Sequence, residues 1–218
     1  MLTPLPELFL AVGKNEAKRI EIMAKEHVKA ALLEARSALD ALIEADQTQE
    51  AIVRASELMV EAIRNGGKIL SCGNGGSLCD AMHFAEEMTG RFRSDRPGYA
   101  AIAISDPSHM SCVGNDYGYH AVFSRYVQAV GQKGDVLLAI TTSGTSGNVL
   151  DAVEAAHEKG MKVIGLTGKV DSPLAQRADV AIVTPAGRWA DRVQELHIKT
   201  IHIMIELVER QLAPQNYI

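Results

Sequence analysis

The sequence predicts an α/β protein: a doubly wound, five-stranded parallel sheet flanked by helices. Two observations carry this. From about residue 66 onward, short apolar runs alternate with helical patterns. Those runs lack the apolar–polar alternation of a half-exposed strand, so both their faces are buried, as in a parallel sheet covered by helices on each side. A third observation concerns what comes first. Residues 14–45 contain no proline or glycine and are rich in Ala, Leu, Glu and Lys, which predicts a long helix.

The elements follow in order. In the first helix Val28, Leu32, Leu39 and Leu42 keep one face apolar. A second helix is expected over 48–64, closed by Gly66-Gly67. Strands are expected at 68–72, 99–105, 135–141, 162–167 and 180–184. Helices are expected at 77–88, 120–130, 146–159 and 190–212, with a short turn near 106–114. Two long helices before any strand exceed what the sheet needs. They either pack on their own domain or build a subunit interface, and the interface is the reading taken here. The division is then a helical arm (1–65), an α/β domain (66–212) and a tail (213–218). Right-handed crossovers place ligands at the carboxyl ends of the strands.

Bulk properties narrow the function. The 218-residue chain is 47% apolar and 22% charged, with a net charge of −5 and no basic run. Nucleic acid and anionic membranes are therefore not expected as partners. Cys72, Cys79 and Cys112 form no C-x-x-C pair, which argues for a reducing, cytoplasmic setting. The N-terminus lacks a basic n-region, and no signal peptide is expected. No apolar run reaches the ~20 residues of a membrane span.

Two loops suit phosphate. The first, Ser71-Cys72-Gly73-Asn74-Gly75-Gly76-Ser77, joins a strand to a helix. Its glycines allow close backbone approach to a ligand, and the helix start offers free N–H groups. Leu78 breaks G-x-G-x-x-G and no P-loop lysine follows, so dinucleotides and nucleoside triphosphates are disfavoured. Glycine content alone leaves a purely structural turn equally open. The second loop, Thr141-Thr142-Ser143-Gly144-Thr145-Ser146-Gly147, packs five hydroxyls into seven residues. One hydroxyl would cap the helix; five suit a dianion.

Acid–base candidates lie on two helices. His83 and Glu87 are four apart and share a face, as an ordinary surface pair or as a working one. The last helix carries Asp191, Arg192, Gln194, Glu195, His197 and His202, with His202 inside the apolar stretch 198–208. Gln194 and His202 are eight residues, about 12 Å, apart along a helix. Bringing both to one atom would need a second chain or a distorted helix start.

These residues resemble a known signature. The first loop followed by Cys79-Asp80-Ala81-Met82-His83-Phe84-Ala85-Glu86-Glu87 is similar to the phosphoheptose isomerases of the SIS-domain family. So are Arg91, Arg96-Pro97-Gly98-Tyr99 and the runs 101–105, 111–116, 123–126, 134–140, 160–168 and 191–202. The resemblance spans about residues 66 to 209. It implies the SIS fold and a homotetramer with active sites shared between subunits. It implies conversion of sedoheptulose 7-phosphate to D-glycero-D-manno-heptose 7-phosphate, for heptose in lipopolysaccharide-type surface carbohydrate. It carries Glu87 over as general base and His202 as general acid. The sugar would meet Asn74, Gly75, Gly76, Ser77, Glu87, Arg91, Asn115, Asp116, Asp191 and Gln194. The phosphate would meet Thr141, Thr142, Ser143 and Ser146. Zinc, one per subunit, would map to His83, Glu87, Gln194 and His202. Leu78 replaces a frequent histidine, Thr141 a serine and Thr145 an asparagine.

Three rivals stand beside this. A non-catalytic SIS protein that binds a replication initiator would lack the second glutamate and the final histidine, and both are present here as Glu87 and His202. A sugar-phosphate-sensing regulator would carry an appended domain. An isomerase of another sugar phosphate would share the fold without this long signature.

Overall fold

The computed structural model describes residues 14–185 and 187–218, with side chains from residue 22. The described residues fall into two compact units, divided between Ser37 and Ala38. The first unit is helical where described. It belongs to α1 (Lys14–Ile43) and exposes Ile22, Met23, Val28, Leu32 and Leu33.

The second unit holds five strands: β1 (Ile69–Gly73), β2 (Ala101–Ala103), β3 (Val136–Ile140), β4 (Lys162–Thr167) and β5 (Val180–Val183). All pair in parallel, in the order β2-β1-β3-β4-β5. The helices are α2 (Asp46–Arg64), α3 (Gly76–Thr89), α4 (Pro107–Asp116), α5 (Ser124–Val130), α6 (Gly147–Glu158), α7 (Pro173–Arg177) and α8 (Ala190–Leu212).

Alternate strand residues feed two cores, as the period of two requires. Ile69, Val136, Leu138, Ile140, Ile164, Leu166 and Ile182 pack with α2, α3 and α8. Leu70, Cys72, Leu137, Ala139 and Val163 pack with α4, α5 and α6 on the other face. Burial holds the Cys72 thiol up at about 12, so it is inert packing rather than a nucleophile. The helix α2 is built into this unit: Ala55 and Met59 are fully buried, and Thr48 donates to the Val183 carbonyl at 2.9 Å.

Four local expectations are corrected. Residues 106–114 are no mere turn but the start of α4. Asp106 caps it by accepting from the His109 N–H, and Pro107 occupies the first turn, where its missing N–H costs nothing. The helix expected over 120–130 splits into a 3-10 turn (Tyr119–Ala121) and α5. The strand expected over 99–105 pairs only over 101–103. The short α7, capped by Ser172 with Pro173 following, was not foreseen.

The strand order reverses direction between β1 and β3. In a parallel sheet that switch point opens a crevice beyond the carboxyl ends of the two strands. Gly73 and Ile140 are in register there. Both loops singled out in the sequence therefore leave the sheet side by side.

Candidate active site

Each loop is held by the other. Asn74 and Asn148 exchange two side-chain hydrogen bonds, both 2.8 Å, joining the first loop to the start of α6. Tyr119 adds a longer contact, its hydroxyl 3.4 Å from Asn74 Oδ1. Asn148 and Tyr119 were not among the expected site residues. Asn148 could have been suspected as an amide in the first turn of a helix, with no capping duty. Gly75 has φ 56°, a left-handed conformation that favours glycine, and it turns the chain into α3.

The hydroxyl loop is organised rather than frayed. Thr141 Oγ1 lies 2.8 Å from Ser146 Oγ and 3.4 Å from Ser143 Oγ, and Ser143 Oγ lies 2.9 Å from Thr145 Oγ1. Gly144 closes the turn at φ 69°, its N–H bonded to the Thr141 carbonyl. A Cβ there would stand 2.2 Å from Ser172 Cβ. The loop thus clusters four hydroxyls at the N-terminus of α6, where helix dipole and free N–H groups favour an anion.

Helices α3 and α8 run side by side in the same direction. Gln194 rests against Gly76 at the start of α3, so closely that a Cβ on Gly76 would meet its amide nitrogen at 2.6 Å. Further along, His202 meets His83, Nε2 to Nε2, at 2.9 Å. Glu87 Oε1 lies 3.6 Å from His83 Nε2, and Glu86 lies 3.2 Å from His83 Nδ1. Ligand atoms of His83, Glu87 and His202 all fall within 4.8 Å of one another. The Phe92 ring covers His202 with centroids 5.8 Å apart. The Glu87 side chain is only 18% exposed.

The local fields follow from this packing. Burial, then the neighbouring Glu86 charge, raises Glu87 above the ordinary carboxylate value. Burial, then the positive charges of His83, Lys199 and Arg93, lowers His202 below the ordinary imidazole value. Both shifts favour the uncharged forms: a carboxyl that holds its proton more tightly than usual stands beside an imidazole that holds one less tightly.

The other expected residues are distributed around this frame. Ser77 is buried in the first turn of α3, and Thr142 lends its carbonyl to the Gly168 N–H. Asn115 and Asp116 bond each other at 2.7 Å at the end of α4. Arg91 is exposed just beyond α3, and Asp191 is exposed in the first turn of α8 beside Arg192. Within one chain, His83, Glu87 and His202 come together, while Gln194 sits at the Gly76 end of α3.

The SIS-domain family model matches residues 32–168, which makes the chain an SIS-domain protein. Closer relatives narrow this. Over 191 residues the chain is 60% identical to the phosphoheptose isomerase of Aeromonas hydrophila, covering 88% of this chain and 100% of that one. The phosphoheptose isomerase of Histophilus somni is also 60% identical, with 88% and 98% covered. Among solved structures, phosphoheptose isomerase from Neisseria gonorrhoeae superposes with TM-score 0.79 at 44% identity, covering 85% of this chain and 98% of that one. The Francisella tularensis enzyme gives 0.81 at 34% identity, covering 86% and 98%. The chain belongs to the phosphoheptose isomerase family.

Proposed function

We propose that this isomerase interconverts sedoheptulose 7-phosphate and D-glycero-D-manno-heptose 7-phosphate through an enediol, with Glu87 as base and His202 as acid. The observation that carries the role assignment is the meeting of Glu87 and His202, from helices far apart in the chain, in one half-buried cluster. Aldose–ketose exchange needs a carbon-bound proton moved between C1 and C2, and protons managed on the two oxygens. Glu87 takes the C1 proton while the His202 N–H protonates the C2 oxygen, giving the enediol. Glu87 then returns its proton at C2, and the C1 hydroxyl returns its proton to His202, leaving the aldehyde. A neutral imidazole suits this exchange because it can give a proton and recover it.

The hydroxyls of Thr141, Thr142, Ser143 and Ser146 grip the phosphate in this reading. Asn74, Gly75, Gly76, Ser77, Arg91, Asn115, Asp116, Asp191 and Gln194 line the sugar's path. Eleven residues of α3, about 16 Å, separate Gly76 from Glu87. That exceeds the length of an extended seven-carbon sugar phosphate. A site in which the phosphate loop of one subunit faces the acid–base cluster of another is part of the same proposal.

Assembly as a homotetramer through the N-terminal helices accords with this. An apolar groove of about 450 Å³, lined in part by Leu42, Ile43, Ile52, Val53, Ile203 and Leu207, lies open on the second unit. Among the described residues no helix is long and apolar enough to cross a membrane. A cytoplasmic setting, supplying heptose for surface carbohydrate, is part of the same proposal.

Two imidazoles and a carboxylate suit zinc, one ion per subunit. Two nitrogens on tetrahedral zinc stand about 3.3 Å apart. The 2.9 Å between His83 and His202 needs only a small side-chain displacement to admit an ion. His83, Glu87 and His202 would hold it. Gln194 stands apart in the same chain, so the fourth position goes to water, substrate or a Gln194 from another subunit. When bound, the ion supplies Lewis-acid polarisation of the substrate oxygen, or stiffens the site.

The test is direct. Purified protein incubated with sedoheptulose 7-phosphate should yield the aldose heptose phosphate, assayed after chelation and after zinc is restored. Full activity in chelated protein would remove the Lewis-acid role, and no aldose under either condition would overturn the function.

A further inference from the structure

Beyond the acid–base pair, past the end of α3, lies a buried ion pair. The Arg96 and Glu209 side chains are fully buried, and Arg96 Nε donates to Glu209 Oε1 at 2.6 Å. The same guanidinium donates to the carbonyls of Glu87 at 2.8 Å, Met88 at 2.8 Å, Gly90 at 2.9 Å and Pro97 at 3.2 Å. Three of these are the last carbonyls of α3 and its cap, which have no helical donor of their own. Tyr99 stacks beneath the guanidinium at 4.2 Å, and the Tyr217 hydroxyl donates to the second Glu209 oxygen at 2.7 Å.

The surrounding chain makes the geometry meaningful. The segment after α3 follows α8 turn by turn: Phe92 lies on His202, Arg93 pairs with Glu206 at 2.8 Å, and Arg96 pairs with Glu209. Glu209 stands seven residues, about 10 Å, beyond His202 on α8. One fully buried cation therefore ties the backbone of Glu87 to the helix that carries His202. A buried ion pair is by itself weak evidence for stability, since apolar residues of similar size often serve as well. Its carbonyl contacts are what an apolar pair could not supply.

We propose that Arg96, held by Glu209, is a positioning residue that sets Glu87 against His202. The inference rests on the acid–base reading of those two residues. Lysine at position 96 keeps the charge facing Glu209, but its single nitrogen cannot span the carboxylate and four carbonyls together.

The experiment compares kcat and KM of wild type, Arg96→Lys and Glu87→Gln, well below each thermal midpoint. Arg96→Lys is expected to lose roughly ten- to hundredfold in kcat, the scale of a small misplacement of a reacting group, with KM held within about twofold. If Arg96→Lys does not fold, the double variant Arg96→Met/Glu209→Leu removes both charges, leaves neither buried alone, and carries the same expectation. A folded variant with wild-type kcat, or one whose loss lies entirely in KM, would overturn the proposal. Glu87→Gln separates the two readings. If it is inactive while Arg96→Lys is normal, only the positioning role fails; if Glu87→Gln itself turns over normally, the acid–base reading fails and the inference with it.

Discussion

His83 and His202 meet ring nitrogen to ring nitrogen, Nε2 to Nε2 at 2.9 Å, from helices far apart in the chain. One must donate and the other accept, so their tautomers are locked in complementary order. Glu86 lies 3.2 Å from the far nitrogen of His83. His202 is thereby oriented before substrate arrives, and Glu87 is held on the same side.

The first prediction concerns pH. Glu87 is shifted up from 4.5 and His202 down from 6.5, each chiefly by burial. Chemistry that needs Glu87 ionised and His202 neutral rises with pH through both groups. The kcat/KM profile should therefore climb through the acid range, with the Glu87 inflection above 4.5 and the His202 inflection below 6.5, and should not fall again between pH 6.5 and about 7.5. An optimum below pH 6, falling by pH 6.5, would mean that a protonated His202 does the work.

A second prediction concerns the hydroxyl loop. Ser146→Ala and Thr141→Val each remove a hydroxyl from the 2.8 Å pair. A lost hydrogen bond to a charged group is worth about 1.5–3 kcal/mol, or roughly ten- to hundredfold in binding. KM for the sugar phosphate should rise on that scale, with kcat changed less. An unchanged KM in folded protein would place the phosphate elsewhere.

Both loops were legible in the sequence because their chemistry is local: glycines and hydroxyls crowd short turns, whereas Glu87 and His202, which by spacing alone read equally as a surface pair and a core histidine, were marked out by the family resemblance. The strand order was not. It is set by pairings between runs up to 67 residues apart, such as Ile69 with Val136. The helix α4 was read as a turn although Asp106 and Pro107 announce a helix start, because Ser108, Ser111, Gly114 and Asn115 blur its apolar period. Arg96 and Glu209 stand 113 residues apart, and no local pattern pairs them. Which end of α3 Gln194 occupies likewise depends on how α8 lies against it.

A third prediction concerns acid stability. His197 is fully buried on α8, and burial holds it down at about 4, ahead of a backbone contact at Thr167 that raises it. Between that value and 6.5 the unfolded chain binds a proton that the folded one refuses. Stability from this group is thus full above pH 6.5 and falls as pH drops, by roughly 3 kcal/mol near pH 4. Asp80, raised to about 6 by burial, acts with the opposite sign. Denaturant midpoints of wild type and His197→Leu, compared from pH 7 to 4, isolate the histidine. The variant should lose less stability than wild type, and parallel losses would contradict the assignment.

A fourth prediction is steric. Gly144→Ala puts a Cβ into Ser172 and strains a left-handed φ of 69°. It should cost at least about 1 kcal/mol of stability. It should also raise KM, because the same turn presents the hydroxyls. Wild-type melting and KM would show that the turn yields freely.

The most direct measurement follows solvent hydrogen. Sedoheptulose 7-phosphate is incubated in deuterium oxide with wild-type protein and with Glu87→Gln, and C1 of the recovered ketose is examined by NMR. The wild type should wash deuterium into C1 through the enediol, while Glu87→Gln, still folded, should be slower by ~10²-fold or more. Exchange by Glu87→Gln at the wild-type rate would contradict the account, because the proton would then move without the carboxylate assigned to carry it.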